Sequence, residues 1–358
     1  MKVLIKKNVL ESIVTNINPY LEKRDLSSIN SHILFKTENG VLSVKGTDHE
    51  IGLAYKVSNN IQISENGEAT ANGKKLLDII KGLKDGDVIL ETVEKYLYIK
   101  QNNSKYKLPM QNAAEFPAFP STSGKAKFEI NAGILGKSLK KISPCIELNN
   151  TKRELTGALL DIKTDMINLV GTDTKRLGVY TIPLTSDREF NVIIPKKAIL
   201  EMQKLFFEDI GIYYDENIFI AVSENFEFFT KLINGKYPNY ERVIPTEAKI
   251  TLNLNREKMV EGIKTISMLS EVVKMTFNPE NIVFESINDD NSEAKTSVEF
   301  MTGTSESFSI NVRARFILDF LSSIEESDFI LGFNDSVAPF ILVCGELRTV
   351  IMPVNEAR

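Results

Sequence analysis

The chain has 358 residues, of which 42% are hydrophobic and 25% are charged, and its formal net charge at pH 7 is −5. This length predicts two or three domains with ample apolar residues for their cores. The acidic balance argues against a protein held on nucleic acid by bulk positive charge, so any contact with DNA must come from lysines and arginines gathered on one face.

Three features indicate the cytoplasm and no membrane partner. The start MKVLIKKNVLESI breaks at once into charge, unlike a signal peptide. No segment approaches the roughly eighteen apolar residues that span a bilayer. Cys145 and Cys344 lie far apart in the sequence. We therefore expect two reduced thiols in protein cores rather than a disulfide framework.

An amphipathic helix is predicted near the start of each of three parts of the chain. The candidates are Asn8 to Ile17, Asn131 to Ile142 and Asn255 to Leu269. Apolar side chains three or four residues apart give each segment one apolar stripe. Asn131 and Asn255 stand where helix N-caps belong.

A strand that ends in a polar turn follows each of these helices. GVLSVKGTD ends at Asp48, DMINLVGTD ends at Asp173, and NIVFESIND ends at Asp289. Alternating apolar residues predict a strand in each case. No acid, base or nucleophile recurs beside Asp48 and Asp173, so we expect them to stabilise their turns through Asx-type hydrogen bonds rather than to act as catalytic carboxylates.

A second helix, which opens on a basic pair, completes each unit. NGKKLLDIIKGL begins near Gly73, PKKAILEMQKLF at Pro195 and VRARFILDFLSS at Val312, and short strands follow each. A period of about 120 residues suits a triplicated α+β domain with mostly antiparallel strands. We place the boundaries in the weakly periodic stretches 120–125 and 245–248, which gives domains 1–122, 123–246 and 247–358.

The sequence carries no recognisable catalytic or metal-binding motif. His32 and His49, expected to be partly exposed, lack metal-ligand spacing. The stretch 67–75 (GEATANGKK) has neither the glycine spacing of a phosphate-binding loop nor a Ser or Thr after Lys74. We expect no cofactor, no metal and no catalysis. Two alternatives stay open: an enzyme with its site at a domain junction, and a monomeric nucleic-acid-binding module.

Positive charge recurs on the predicted helices of all three units. The residues are Lys6, Lys7, Lys74, Lys75, Lys81 and Lys84, then Lys137, Lys140, Lys141, Lys196, Lys197 and Lys204, and then Arg256, Lys258, Lys264, Arg313 and Arg315. Acidic residues share these helices, so any one lysine could belong to a solvated face. The recurrence favours a shared basic surface that contacts phosphates without reading bases.

The three units, with GTDTKRL, GKYPNYERVIP and VIMPV, resemble the β subunits of bacterial DNA polymerase III along the whole chain. The resemblance implies three domains of the DNA clamp fold, each with two helices packed on antiparallel sheets, and two chains joined head to tail into a ring. It implies a non-catalytic processivity factor that encircles double-stranded DNA without sequence preference and works at the nucleoid. The implied partners are the replicative polymerase catalytic subunit, the clamp loader, and other polymerases and repair proteins with clamp-binding motifs.

The resemblance also implies three sets of functional residues. A partner-peptide pocket between domains 2 and 3 would comprise Leu155, Thr172, Thr174, Lys175, Arg176, Leu177, Pro238, Arg242, Val243, Val350, Met352, Pro353 and Val354. DNA would be contacted by Arg24, Asn149, Lys152, Arg153, Lys196 and Lys197. In the dimer interface, Lys74, Tyr106 and Leu108 would face Met268, Leu269 and acids such as Glu293 or Glu299.

The chemistry of the implied pocket suits a peptide ligand. Its apolar residues would form a slot in which Met352 adapts to varied ligands. Arg176 and Arg242 are expected at the rim, gripping a carboxylate or backbone carbonyls. The chain departs from the family at Thr174 and Lys175, where Gly-His is common, and in the tail 354–358, and both departures bear on which partner motifs it prefers.

Overall fold

A computed structural model describes residues 1–186, 189–205, 210–287 and 292–354. The chain divides into two compact units, one formed by 1–131 with 208–232 and the other by 132–207 with 233–358. Among the described residues, no helix is both long enough and apolar enough to cross a membrane.

The described residues form six α-helices, two in each sequence repeat. They are α1 (Lys7–Ile17), α2 (Gly73–Gly82), α3 (Ala132–Ile142), α4 (Lys196–Leu205), α5 (Arg256–Ser267) and α6 (Ala314–Ser323). All six begin within about two residues of the predicted starts, because apolar spacing and capping residues are local signals. The Asn255 side chain accepts a hydrogen bond from the Lys258 N–H at 3.2 Å, which confirms its predicted capping role. Lys6, Lys84 and Arg313 flank the helices rather than lying in them.

Strands surround these helices in a common order, and among the described residues repeat one has one additional strand between its two helices. Repeat one has β1 (Lys2–Lys6), β2 (His32–Glu38), β3 (Val41–Thr47), β4 (Ile51–Val57), β5 (Ile61–Glu65), β6 (Gly67–Asn72), β7 (Asp87–Val93), β8 (Tyr96–Gln101) and β9 (Ser104–Pro109). Repeat two has β10 (Ala126–Ile130), β11 (Gly157–Ile162), β12 (Met166–Thr172), β13 (Arg176–Pro183), β14 (Phe190–Pro195), β15 (Ile210–Tyr214), β16 (Ile218–Val222) and β17 (Phe226–Lys231). Repeat three has β18 (Ile250–Asn255), β19 (Val272–Phe277), β20 (Asn281–Ser286), β21 (Lys295–Glu299), β22 (Phe308–Arg313), β23 (Asp328–Phe333), β24 (Phe340–Cys344) and β25 (Leu347–Ile351).

The strands of each repeat divide between two sheets. In the first unit the orders are β5-β1-β7-β8-β9 and β10-β15-β16-β17-β4-β3-β2-β6. In the second unit they are β14-β11-β12-β13-β25-β24-β23-β18 and β21-β20-β19-β22. Repeats one and two thus join where β17 pairs antiparallel with β4, and repeats two and three join where β25 pairs antiparallel with β13. The predicted boundaries fall in the connections β9–β10 and β17–β18, and their exact positions stay predictions.

The Gly-Thr-Asp turns of repeats one and two have one structure. The Asp48 carboxylate accepts hydrogen bonds from the N–H groups of residues 50 and 51, and Asp173 does the same for residues 175 and 176, all at 2.9–3.0 Å. The predicted Asx-type role is therefore confirmed for both. The third turn residue, Asp289, lies outside the described residues.

At the glycine of each turn, the strand packs closely against the C-terminal end of the first helix of its repeat or the residues just after it. A Cβ on Gly46 would lie 2.3 Å from a methyl carbon of Ile17, and one on Gly171 would lie 2.8 Å from a side-chain carbon of Ile146. Both distances are shorter than packed carbon atoms tolerate. The Gly-Thr-Asp motif therefore has two structural roles. Its glycine permits close packing, and its aspartate accepts the hydrogen bonds of the turn.

We expect Gly46→Ala to lower the free energy of unfolding of its domain by about 1–3 kcal/mol, because the added methyl overlaps a packed core. The matched control is Gly82→Ala, where nothing lies within 4 Å of the added Cβ. The control should be neutral or slightly stabilising. Denaturant titration of both variants measures the difference, and equal midpoints would contradict the packing argument.

Candidate functional site

The junction between β13 and β25 brings together two segments singled out from the sequence. Leu177 lies opposite Val350 in the antiparallel pair. Beyond the strands, the Met352 N–H donates to the Lys175 carbonyl at 2.9 Å. The stretches 172–177 and 350–354 are therefore neighbours, although they stand far apart in the sequence.

One face of the joined sheet carries a continuous apolar cluster. Its buried members are Leu155, Leu159, Val170, Leu177, Val179, Ile193, Ile233, Tyr237, Tyr240 and Val350, and Ile244 and Ile341 pack against it half-buried. On the opposite face, a Cβ on Gly178 would approach the Cys145 Sγ to 2.9 Å, so that face packs on the segment that follows α3. The apolar cluster therefore lies on the face turned away from the helices.

The stretch 233–244 lies along this cluster and is held there by hydrogen bonds. The Ile233 N–H donates to the Ile193 carbonyl at 2.9 Å. The Tyr240 hydroxyl donates to Asp161 at 2.7 Å and accepts from Asn168 at 3.1 Å. Burial and the neighbouring Asp161 carboxylate raise the pKa of Tyr240, so it stays a neutral donor. The stretch that contains Pro238, Arg242 and Val243 is thus fixed beside the other two segments.

The edge of this cluster is both apolar and cationic. Val243 and Met352 are 48% and 40% exposed. Arg242, next to Val243 in the sequence, is exposed, and so is Lys175, whose carbonyl accepts from the Met352 N–H. Buried residues Leu155, Leu177 and Val350 form the floor, and Pro353 and Val354 are half-buried. Such a surface can receive apolar side chains and pair with a carboxylate.

The role expected for Arg176 at the rim is wrong. Its side chain is only 4% exposed. Its guanidinium donates to Asp173 at 3.0 Å, to Asp319 at 2.7 Å and to the Pro144 carbonyl at 2.6 Å. It also lies over the Phe316 ring at 4.4 Å. Arg176 therefore anchors the turn 172–177 to α6 and lies in the interior rather than at the rim.

Lys196 also differs from the other predicted DNA contacts. Its ammonium donates to the Ile146 carbonyl at 2.5 Å, and burial, together with the charges of Arg176 and Arg315, lowers its pKa. Lys196 thus secures the loop that follows α3. Of the remaining predicted contacts, Arg24, Asn149, Lys152, Arg153 and Lys197 are exposed. Their contact with DNA stays a prediction.

Most of the predicted interface residues are exposed, and one of them is buried. Met268 is 87% exposed and Leu269 is 47% exposed, just after α5. Tyr106 is 38% exposed on β9 and Lys74 is exposed on α2, whereas Leu108 is 7% exposed and belongs to the core. Glu299 is exposed on β21. Leu108 can therefore support an interface from beneath but presents little surface to it.

The titratable residues outside this surface include two buried thiols and one buried imidazole. No group of three His, Cys, Asp or Glu residues there could hold a metal ion. Both cysteines are free and buried, and burial raises the pKa of Cys145 to about 12 and of Cys344 to about 11. His32, expected to be partly exposed, is buried, and burial lowers its pKa.

Three α+β repeats that join through the edges of their sheets, with an apolar surface at one junction, are the features of a DNA clamp. The sequence matches the DNA polymerase III beta subunit family over its N-terminal domain at residues 1–120, its central domain at 129–239 and its C-terminal domain at 241–355.

Named relatives and solved structures agree with this match. The beta sliding clamp of Helicobacter pylori strain J99 is 39% identical, with 99% of this chain and all of the relative covered. The crystal structure of the Helicobacter pylori beta clamp bound to a DNA ligase peptide superposes with a TM-score of 0.93 at 39% identity, over 99% of this chain and 100% of that one. The Pseudomonas aeruginosa clamp bound to griselimycin gives a TM-score of 0.93 at 25% identity, over the same shares of the two chains. The chain belongs to the family of bacterial DNA polymerase III β subunits, the sliding clamps.

The partners of Arg176 could not have been found from the sequence. Asp319 and Phe316 stand about 140 residues away and match no local motif. Only the GTD turn, which carries Asp173, gave a signal for one of its partners. The Tyr240 hydrogen bonds to Asp161 and Asn168 were missed for the same reason.

We expect Asp319→Asn to lower the free energy of unfolding by about 1–3 kcal/mol, because the buried guanidinium of Arg176 loses a charged acceptor. The control is Asp165→Asn, which removes an exposed carboxylate that forms no salt bridge with a described residue. Denaturant titration compares the two variants. An equal loss of unfolding free energy in both variants would show that the Arg176–Asp319 salt bridge does not contribute to stability.

Proposed function

We propose that the protein is the processivity clamp of DNA replication, in which two copies close into a ring around double-stranded DNA and hold the replicative polymerase there. The observation that supports a ring is the way in which strands of successive repeats pair to join their sheets. In each joint, the last strand of one repeat (β17 or β25) pairs with the strand after the GTD turn of the preceding repeat (β4 or β13).

This pattern leaves one strand of each kind with one open edge among the described residues. The strand β9 is the last of repeat one and forms a sheet edge, and β21, the counterpart of β4 and β13, forms another. Edge strands present unpaired N–H and C=O groups that favour further pairing. We propose that β9 of one copy pairs with β21 of the other, twice, which gives a closed head-to-tail dimer.

The predicted interface residues support this arrangement. Tyr106 and Leu108 lie on β9, Glu299 lies on β21, and the exposed Met268 and Leu269 follow α5, which contacts β21. Met268 and Leu269 are adjacent, and contiguous exposed apolar surface favours contact with another protein. Their burial would give the interface an apolar centre within a charged rim.

The contact with DNA would be weak at each point and would come from exposed basic loops and helices. The candidates are Arg24, Asn149, Lys152, Arg153 and Lys197, whereas Lys196 would act by holding its neighbouring loop. With a net charge of −5, the chain gains little from bulk attraction. We therefore propose that the ring stays on DNA by enclosing it, which permits sliding.

The apolar cluster at the β13–β25 junction is the proposed docking site for partner peptides. A DNA ligase peptide is bound to the Helicobacter pylori clamp in its crystal structure. Here, Val243 and Met352 would contact the apolar side chains of a peptide, and Lys175 and Arg242 would attract its carboxylates. The polymerase, the clamp loader and repair proteins would compete for this one surface.

Three further points belong to the proposal. The protein has no catalytic role of its own and needs no cofactor. Its three domains span 1–122, 123–246 and 247–358, as the strand-free connections near these boundaries support. It acts in the bacterial cytoplasm, at the nucleoid during replication.

The enclosing function is tested by comparing circular with linear DNA. After loading by the clamp loader, the protein should survive a high-salt wash on nicked circular DNA and be lost from linear DNA of equal length. Salt screens charge but cannot open a topological link. Equal loss from both forms would favour a monomeric nucleic-acid-binding module.

The dimer is tested by placing charge at its proposed apolar contact. The wild-type protein should sediment with about twice the mass of one chain, and Met268→Asp combined with Leu269→Asp should produce monomers, because paired carboxylates cannot be buried there without compensation. Val337→Asp is the control, since Val337 is 63% exposed in the same repeat, in the connection between β23 and β24. Monomers in the wild type, or in the control alone, would contradict the proposed interface.

The peptide site is tested by Met352→Ala together with removal of residues 353–358. We expect at least a tenfold loss of affinity for the DNA ligase peptide, roughly the effect of losing one buried apolar anchor. Val337→Ala, at a 63% exposed apolar residue of repeat three, should bind normally. Fluorescence anisotropy measures both, and unchanged affinity in the truncated variant would refute this location.

A further inference from the structure

The sheet β5-β1-β7-β8-β9 has one face away from the core that is unusually rich in tyrosine and lysine. Alternate residues of β8 and β9 point to this face. Cross-strand pairing sets Tyr98 opposite Lys107 and Lys100 opposite Lys105, with Tyr96 next along the strand. We call these five residues the Tyr-Lys face. Leu97, Ile99 and Leu108 lie on the other side, in the core.

The lysines of this face differ in how their charges are balanced. Lys100 forms a salt bridge with Glu91 on the adjacent β7, and Lys2 reaches the same carboxylate at 3.0 Å. These two lysines hold the pKa of Glu91 below its usual range. Lys105 and Lys107 form no salt bridge with any described residue. Two positive charges therefore stand uncompensated on a chain that is acidic as a whole.

Aromatic rings hold these two ammonium groups in place. The Lys107 Nζ lies 3.6 Å from the centre of the Tyr96 ring, and the Lys105 Nζ lies 4.6 Å from that of Tyr98. Contact with a ring face lowers the freedom of a lysine side chain without cancelling its charge. Neither tyrosine hydroxyl has a hydrogen-bond partner among the described residues. The face thus offers two ordered cations and two unused hydroxyl donors.

We infer that the Tyr-Lys face docks an extended acidic segment of a partner protein. Lys105 and Lys107 are two residues apart on one strand, so their spacing of about 6.8 Å matches carboxylates at every second position of an extended peptide. The tyrosine hydroxyls add hydrogen-bond donors for the same carboxylates. Charge complementarity identifies the partner as acidic, and strand geometry identifies it as extended.

Single-stranded nucleic acid fits this face less well. Its bases bind proteins by stacking on aromatic rings. Here, the lysines already cover the faces of both rings. The proposed pairing of β9 with a second copy also leaves the face open, because edge pairing uses backbone groups while side chains stand perpendicular to the sheet.

The test uses the full-length protein and a labelled ten-residue peptide in which glutamate alternates with serine. A second peptide has the same composition with its glutamates in one block, and labelled oligothymidylate represents nucleic acid. Fluorescence anisotropy should show tighter binding of the alternating peptide than of either competitor. Its affinity should fall as salt is added.

Three double variants locate the binding. Lys105→Gln with Lys107→Gln should weaken the alternating peptide about threefold to tenfold, as expected for two partly exposed charge pairs. Lys105→Arg with Lys107→Arg should preserve it. The control is Lys127→Gln with Lys231→Gln, which makes the same change in net charge at lysines already paired with Glu129 and Glu50.

The inference is supported if affinity falls by this amount only in the first variant while its thermal midpoint is unchanged. It is overturned if the wild type does not bind, if the two peptides bind equally, if oligothymidylate binds in preference, or if the control loses as much affinity as the first variant.

Discussion

Antiparallel pairing between the outer strands of successive repeats is the interaction on which the rest of this structure depends. Each of the two eight-stranded sheets combines four strands from each of two successive repeats, which join where β17 pairs with β4 and where β25 pairs with β13. A ladder of backbone hydrogen bonds is indifferent to side chains, so diverged repeats can form the same joint. The same joint would use the outer edges of β9 and β21, each of which pairs on one side only among the described residues.

The same pairing creates the site. The β13–β25 joint aligns Leu177 with Val350 and makes one apolar face from two repeats. The stretch 233–244 lies along that face, held by the Tyr240 hydroxyl. Arg176 fixes the turn beside the joint through Asp173, Asp319 and the Pro144 carbonyl. Because a buried cation needs several acceptors, this turn is held from both repeats at once.

The basic residues fall into two groups, one exposed and one drawn into the interior. Most lysines of the Tyr-Lys face and of the helices remain exposed, while Lys196 and Arg176 are drawn inward to hydrogen-bond acceptors. A basic residue in the sequence can therefore have one of two roles: it can stay exposed and available to a ligand, or it can be buried and hydrogen-bond to a neighbouring loop. Exposure and the nearest acceptor decide between them, and neither is visible from residue type.

The sequence by itself determined the triplication, the six helices and the roles of Asp48, Asp173 and Asn255, because apolar spacing, capping and turn chemistry act over a few residues. Family resemblance added the segments 172–177, 238–243 and 350–354. Only the tertiary structure decided which side chains of those segments face outward. It placed Met352 and Val243 at the surface, and it placed Arg176 in the interior, where its partner Asp319 comes from a distant helix. Contacts between residues so far apart arise from the packing of whole sheets, and no local pattern encodes them.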